Sequence, residues 1–153
     1  MTDTVLACRD RGGHFYEIDT DPARLDLDVI HDFLAKCSHW ARGIPRPVLQ
    51  QAIDHSLVFG LYRDGRQIGF ARLVTDHATF AYLADVFVVP EARNGGLGQW
   101  LIETILAYKP LAGLRRWLLV TRDAANLYRR CGFTDLAPAT YLERWNPDCY
   151  GSA

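Results

Sequence analysis

Residues Val88 to Gly98 read V-V-P-E-A-R-N-G-G-L-G: an apolar run ends at Pro90, and a short loop brings Arg93, Gly95, Gly96 and Gly98 to the start of an amphipathic segment. This is a build for holding an anion. Backbone N–H groups at a helix N-terminus lack intrahelical partners and lie at the positive end of the helix dipole, and glycines let a phosphate approach the bare main chain. Glycine makes up about 7% of average sequence, so two at a fixed spacing arise by chance in roughly half of chains this long, and the surroundings must carry the argument. Two further residues have chemistry to offer. Asp85 is the one charged residue in the apolar stretch Ala81 to Val88. Tyr128 lies in a short helical segment, and a phenol, with a pKa of about 10, stays protonated at neutral pH and can donate a proton or a hydrogen bond.

The elements around these residues alternate in period. A short strand at His14 to Ile18 is followed by a helix over Leu27 to Cys37, where Leu27, Ile30, Phe33, Leu34 and Cys37 fall at helical spacing behind a cap at Asp26 or Asp28. Gly43, Pro45 and Pro47 interrupt the chain, and Pro47 to His55 supplies a second, short helix; the loop between holds His39, Trp40 and Arg42. Leu57 to Tyr62 and Gln67 to Val74 form a hairpin about Asp64-Gly65, and a turn at Thr75 to His77 leads into a third strand, Thr79 to Val89. The glycine loop feeds a helix from about Gly98 to Tyr108, stopped by Pro110. Trp117 to Val120 reads as a strand covered on both faces. Asp123 is placed to cap a helix through Arg130, Gly132 ends it, and Phe133 to Leu136 and Thr140 to Trp145 supply two last strands. The expected product is a mixed α/β sheet flanked by helices.

With 153 residues, 49% of them hydrophobic, one domain with one buried core is the default. The 17 Lys+Arg against 18 Asp+Glu leave a net charge of -1 without charged blocks, which argues against a nucleic-acid partner. No run reaches the roughly 18 apolar residues of a membrane span, and the N-terminal residues lack the apolar core of a signal peptide, so a cytoplasmic location is expected. Cys8, Cys37, Cys131 and Cys149 have no metal-ligand spacing, so free thiols and no metal are expected.

The order Val88-x-Pro90, Arg93-x-x-Gly96-x-Gly98, then Leu127-Tyr128-x-x-x-Gly132-Phe133 resembles the GCN5-related N-acetyltransferases (GNAT family), most strongly over Phe80 to Phe133. The resemblance implies a single domain over 1–145, and Asn146 to Ala153, with Pro147 and Gly151, reads as a loosely held tail. It also implies a GNAT-type acyl-CoA N-acyltransferase fold: a central, mostly antiparallel twisted sheet of about six or seven strands flanked by about four helices. It implies an enzyme that moves the acetyl group of acetyl-CoA to a primary amine of a small molecule or peptide by direct attack in a ternary complex. The cradle for the coenzyme's pyrophosphate would be the main chain of Asn94, Gly95, Gly96, Leu97, Gly98 and Gln99, opened by Arg93. The strand Val86, Phe87 and Val88 would pair with the pantetheine arm, while the next strand diverges to leave a slot.

By the same resemblance, Tyr128 matches the general acid beside the coenzyme sulfur. Asp85 resembles, with a shorter reach, a glutamate that accepts the amine proton; the alternatives are a structural pair with Arg72 or a carboxylate that orients the substrate ammonium. Relatives often carry an asparagine where this chain has Thr121, and Asn126 is nearer to Tyr128 but on another part of the helix. Cys131 lies near the thiol end, though the family transfers directly. The acceptor pocket would draw on Trp40, Phe80 and Tyr82, with His39, Arg42 and His77 nearby. Acetyl-CoA and an unidentified amine are the expected partners, for a monomer or homodimer. A coenzyme-A-binding sensor without turnover is the alternative. A Walker-type loop fits poorly, because no Gly-Lys-Ser/Thr follows the glycines.

Overall fold

The computed structural model describes residues 3–151. A six-stranded sheet runs in sequence order: β1 (Val5–Arg11), β2 (His14–Asp19), β3 (Leu57–Arg63), β4 (Arg66–Thr75), β5 (Phe80–Val88) and β6 (Arg116–Leu119). Every pairing is antiparallel except β5 with β6, which is parallel. Four helices complete it: α1 (Leu27–Asp32, continued by a π-helical turn at Phe33–Cys37), α2 (Arg46–Asp54), α3 (Leu97–Leu106) and α4 (Ala125–Arg130). Asp26 caps α1, its carboxylate accepting the N–H groups of Asp28 and Val29.

Two cores sandwich the sheet. On one face α3 and α4 pack Leu101, Ile102, Ile105 and Tyr128 against Ile18, Leu61, Ala81 and Leu83. On the other, α1 and α2 pack Ile30, Phe33, Leu34 and Leu49 against Val58, Phe70 and Phe87. β5 serves both, because a bulge interrupts it: Phe70 pairs with Phe87 and Arg72 with Ala84, so Asp85 and Val86 together face Ala71, and Asp85 takes φ 54°. The extra residue inverts the alternation. Ala81 and Leu83 point to the α3 side, whereas Phe87 points to the α1 side and stacks on Phe33 at 4.1 Å between centroids.

Three sequence expectations are corrected. First, Val5–Arg11 is a strand, joined to β2 by Gly12-Gly13 with both glycines at positive φ. It is an edge strand, and Arg9, Asp10 and Arg11 give it the charged composition that conceals such strands. Second, neither Phe133–Leu136 nor Thr140–Trp145 forms a strand among the described residues. Gly132 at φ 96° closes α4, the Phe133 N–H donates to the Tyr128 carbonyl, and Pro138 opens a 3-10 turn, so this segment is tied to the helix end, and Leu142 is 100% exposed. β6 remains an edge, and its residues are only partly buried. Third, Thr121 rather than Asp123 serves the start of α4: its hydroxyl accepts the Ala124 N–H at 3.0 Å.

Two core tyrosines give the fold an alkaline limit. Burial pushes Tyr62 and Tyr128 each up to about 12, whereas phenols of the unfolded chain titrate at about 10. Between these values the unfolded chain ionises first, so stability that is complete below about pH 10 is lost as pH rises toward about 12. Tyr62→Phe removes a buried hydroxyl that has no hydrogen-bond partner, so its thermal midpoint, followed by calorimetry, should decline less over this window than that of the native chain.

Candidate functional site

Three elements converge where β5 ends. β6 pairs with β5 only from Phe80 to Leu83 and stops at Leu119, so beyond Leu83 the edge of β5 that faces β6 is uncovered. Val86, Phe87 and Val88 lie on that stretch. The loop after β5 then turns through Asn94 (φ 66°) and Gly96 (φ 73°) into α3. Gly96 occupies the N-cap in the left-handed region, which glycine enters without the steric penalty of a Cβ.

The first helical bond of α3 runs from the Trp100 N–H to the Gly96 carbonyl. Among the described residues, the N–H groups of Asn94, Gly95, Gly96, Leu97, Gly98 and Gln99 have no hydrogen-bond partner, and no side chain caps the helix. They form a row of donors at the positive end of a ten-residue helix. A Cβ at Gly98 would meet only Leu127 at 3.7 Å and Val88 at 3.9 Å, ordinary contacts. The protein's own packing therefore leaves room at Gly98.

Arg93, which opens the loop, donates its Nε to the Val88 carbonyl at 2.9 Å and so ties the strand end to the loop. The cations beside the loop come instead from β1. Arg11 donates to the Gly95 carbonyl, and the Arg9 guanidinium lies 3.8 Å over the Trp100 ring. With Asn94, Gln99 and Trp100 they line an open depression of about 460 Å³ along the loop. Missing β1 in the sequence meant missing both arginines.

Tyr128 reaches this region from α4. Its ring is buried edge-on against Phe133, with 5.8 Å between centroids. Its hydroxyl has no hydrogen-bond partner among the described residues and is not one of the sealed-off polar atoms, so it stays open to a ligand. Burial pushes the phenol up to about 12, which keeps the proton on oxygen at any physiological pH. Cys131 nearby is also pushed up by burial and by Glu103, so it stays a thiol rather than a nucleophilic thiolate. Asn126 is engaged by Arg129, and Thr121 by the Ala124 N–H.

On the opposite face, the bulge presents Asp85. Its carboxylate accepts the Trp40 indole N–H at 3.0 Å on one oxygen and the Arg72 Nε at 2.8 Å on the other, and Arg72 also donates to Ser56 at 3.1 Å. The buried Ser38 hydroxyl holds the Trp40 loop in place by donating to the Leu34 carbonyl and accepting the Ala41 N–H. Trp40 is 43% exposed, its ring tilted beside Phe33 with an edge contact to His39. Tyr82 lies within electrostatic reach of Asp85 and Arg72, and with burial Asp85 pushes its phenol up. Phe80 starts the same strand, half-buried opposite Arg116 of β6. His77 belongs to the β4–β5 turn instead: it takes φ 60°, and its N–H donates to Thr75. Tyr150 of the C-terminal segment also comes within reach of Asp85 and Arg72, a placement the sequence did not signal.

The Arg72–Asp85 pair is largely buried, with side chains 18% and 8% exposed. Arg72→Met would leave a buried carboxylate without its cation and should cost about 3 kcal/mol of stability, measured by urea unfolding.

Among the described residues no group of ligand side chains suits a metal ion, and no helix is long and apolar enough to cross a membrane. The family described as an acetyltransferase (GNAT) domain matches residues 54–135. A candidate acetyltransferase from Gibberella zeae is 34% identical over 133 residues, 74% of this chain and 75% of that one. Among solved structures, a candidate acetyltransferase of the GNAT family from Xanthomonas campestris pv. campestris is 46% identical, with 90% of this chain and 97% of that one covered and a TM-score of 0.86. N-acetylglutamate synthase from Neisseria gonorrhoeae, solved with coenzyme A and N-acetyl-glutamate, shares the fold at 22% identity and a TM-score of 0.66, over 83% of this chain and 30% of its own.

Proposed function

This chain belongs to the GNAT acetyltransferase family, and from that premise we propose that it transfers the acetyl group of acetyl-coenzyme A to a primary amine of a small molecule or peptide, by direct attack in a ternary complex. The observation that carries this reading is the unpartnered row of N–H groups from Asn94 to Gln99 beside the uncovered edge of β5. A pyrophosphate satisfies the first, and an extended amide-bearing arm satisfies the second. Room at Gly98 and the cations Arg9 and Arg11 fit the same ligand.

Bound there, the coenzyme supplies a thioester whose acetyl carbon is open to a nucleophile. The main chain of Asn94 to Gln99 holds its phosphates, and Val86 and Val88 hold the arm through backbone groups. Arg93 keeps the strand end and the loop in fixed register. Tyr128 directs its hydroxyl at the sulfur. A phenol at about 12 is a weaker acid than a thiol at about 8.5, so Tyr128 acts by donating a hydrogen bond to the negative charge that develops on sulfur. Asp85 receives the acceptor amine. Its carboxylate, held in place by Trp40 and Arg72, orients the amine, and the proton leaves to solvent.

Release of free thiol from acetyl-coenzyme A over a broad amine panel, with the rise in melting temperature on adding coenzyme A, tests this reading. Thiol release with at least one amine is expected. Stabilisation by coenzyme A without turnover of any amine would favour a coenzyme-A sensor, and neither effect would end the proposal.

A further inference from the structure

On the acceptor side, Asp85 and Arg72 oppose each other's charge. Asp85 would attract an ammonium, yet Arg72 lies 2.8 Å from its carboxylate and would repel the same cation. Neither group is used up by the pair. A carboxylate has about four lone-pair sites, of which Trp40 and Arg72 take one on each oxygen. Arg72 spends Nε on Asp85 and Nη1 on Ser56, and its Nη2 has no partner among the described residues. The unspent capacity is therefore acceptor sites on Asp85 beside the Nη2 donors of Arg72. The ligand complementary to that pattern carries both charges.

The C-terminal segment brings a further phenol toward the pair. Its Tyr150, 37% exposed, lies within electrostatic reach of Asp85 and Arg72, as Tyr82 does from β5. Trp40, whose indole N–H holds Asp85, puts a half-exposed aromatic surface beside the ion pair.

Resting on the acetyltransferase reading above, we infer that the acceptor is a free amino acid with an apolar or aromatic side chain, its amine at Asp85, its carboxylate on Arg72, and its side chain against Trp40, Tyr82 and Tyr150. The amine nitrogen forms the new bond to the acetyl carbon as the carbon–sulfur bond breaks. Two protons leave the ammonium for water, one before attack to free the lone pair and one after it, and the departing thiolate, hydrogen-bonded by Tyr128, takes up a proton from water. The products are an N-acetyl amino acid and the free thiol. Tyr150 is a specificity-determining residue in this arrangement.

The test pairs L-phenylalanine, L-tryptophan and L-leucine with phenethylamine, tryptamine, isoamylamine and the three amino-acid amides, following thiol release from acetyl-coenzyme A by the full chain. At least one free amino acid should turn over about tenfold or more faster, in kcat/KM, than its amine and its amide. Arg72→Lys keeps a cation beside Asp85 but loses the second donor arm, and should raise KM for that amino acid about tenfold more than KM for its amine. Tyr150→Ala should raise the same KM while leaving the melting-temperature rise with coenzyme A alone unchanged. Equal or better turnover of the amines or amides overturns the inference and leaves acetyl transfer standing. Stabilisation by coenzyme A with no amino acid acetylated overturns it too, whereas no turnover and no stabilisation defeats the acetyltransferase reading itself.

Discussion

Replacing Tyr128 by phenylalanine is expected to lower kcat by about a hundredfold while affinity for coenzyme A stays within about twofold of the native value. The two readouts separate because the ring and the hydroxyl have different work. The ring is core, packed on Phe133 and buried, and phenylalanine preserves it. The hydroxyl has no protein partner to lose among the described residues, so its removal should not destabilise the fold. Its loss should appear only where charge grows on the leaving sulfur. A phenol pushed up to about 12 also stays protonated across the working range, so the pH profile of kcat should carry no alkaline limb from this residue below that value. Unchanged kcat in the variant would remove Tyr128 from the chemistry.

Gly96→Asp should act on the other end of the ligand. The new carboxylate would stand at the N-cap, among the N–H groups that await the pyrophosphate. A pair of like charges about 4 Å apart in a partly screened site repel by roughly 3 to 4 kcal/mol, so coenzyme A should bind at least about a hundredfold more weakly by titration calorimetry. The same carboxylate lies at the positive end of the α3 dipole, which favours it, and aspartate tolerates the left-handed φ of 73° better than most residues. The fold should therefore hold while affinity falls. Gly96→Asn, with similar size and backbone tolerance and no charge, should retain affinity within about tenfold. If aspartate and asparagine weaken binding equally, the loop is not holding phosphate by charge.

The parts of the site that could be read in the sequence are those whose chemistry lies in the main chain. Arg93, Gly96 and Gly98 after Val88-x-Pro90 announce a strand, a turn and a helix start by spacing alone, and the structure has all three. What escaped was set by tertiary context. The bulge at Asp85 cannot be seen in Ala81 to Val88, because every neighbour is apolar and no alternation marks where the strand changes face. Trp40, expected at the acceptor pocket, is a hydrogen-bond donor to Asp85, since a loop held by Ser38 returns it to the sheet. β1 was hidden by edge-strand charges, although Gly12-Gly13 marked its turn, and with it went Arg9 and Arg11. The last two expected strands, Phe133 to Leu136 and Thr140 to Trp145, each need a partner strand, which no local signal supplies. With Phe133 held to the end of α4, that partner is absent, and Tyr141 instead sets its ring by the Arg116 guanidinium at 5.4 Å. Tyr150 lay in a tail that composition marked as loosely held, and only its long-range placement connects it with Asp85.

The central claim is that the bare N–H groups from Asn94 to Gln99 receive the coenzyme's pyrophosphate. Amide resonances of a ¹⁵N-labelled sample, followed as coenzyme A is added, test it most directly. The account predicts that the signals of Asn94 through Gln99 shift most and saturate together, with those of Val86 and Val88 moving alongside them. If those amides stay fixed while coenzyme A perturbs another surface, the cradle is elsewhere and the account is wrong.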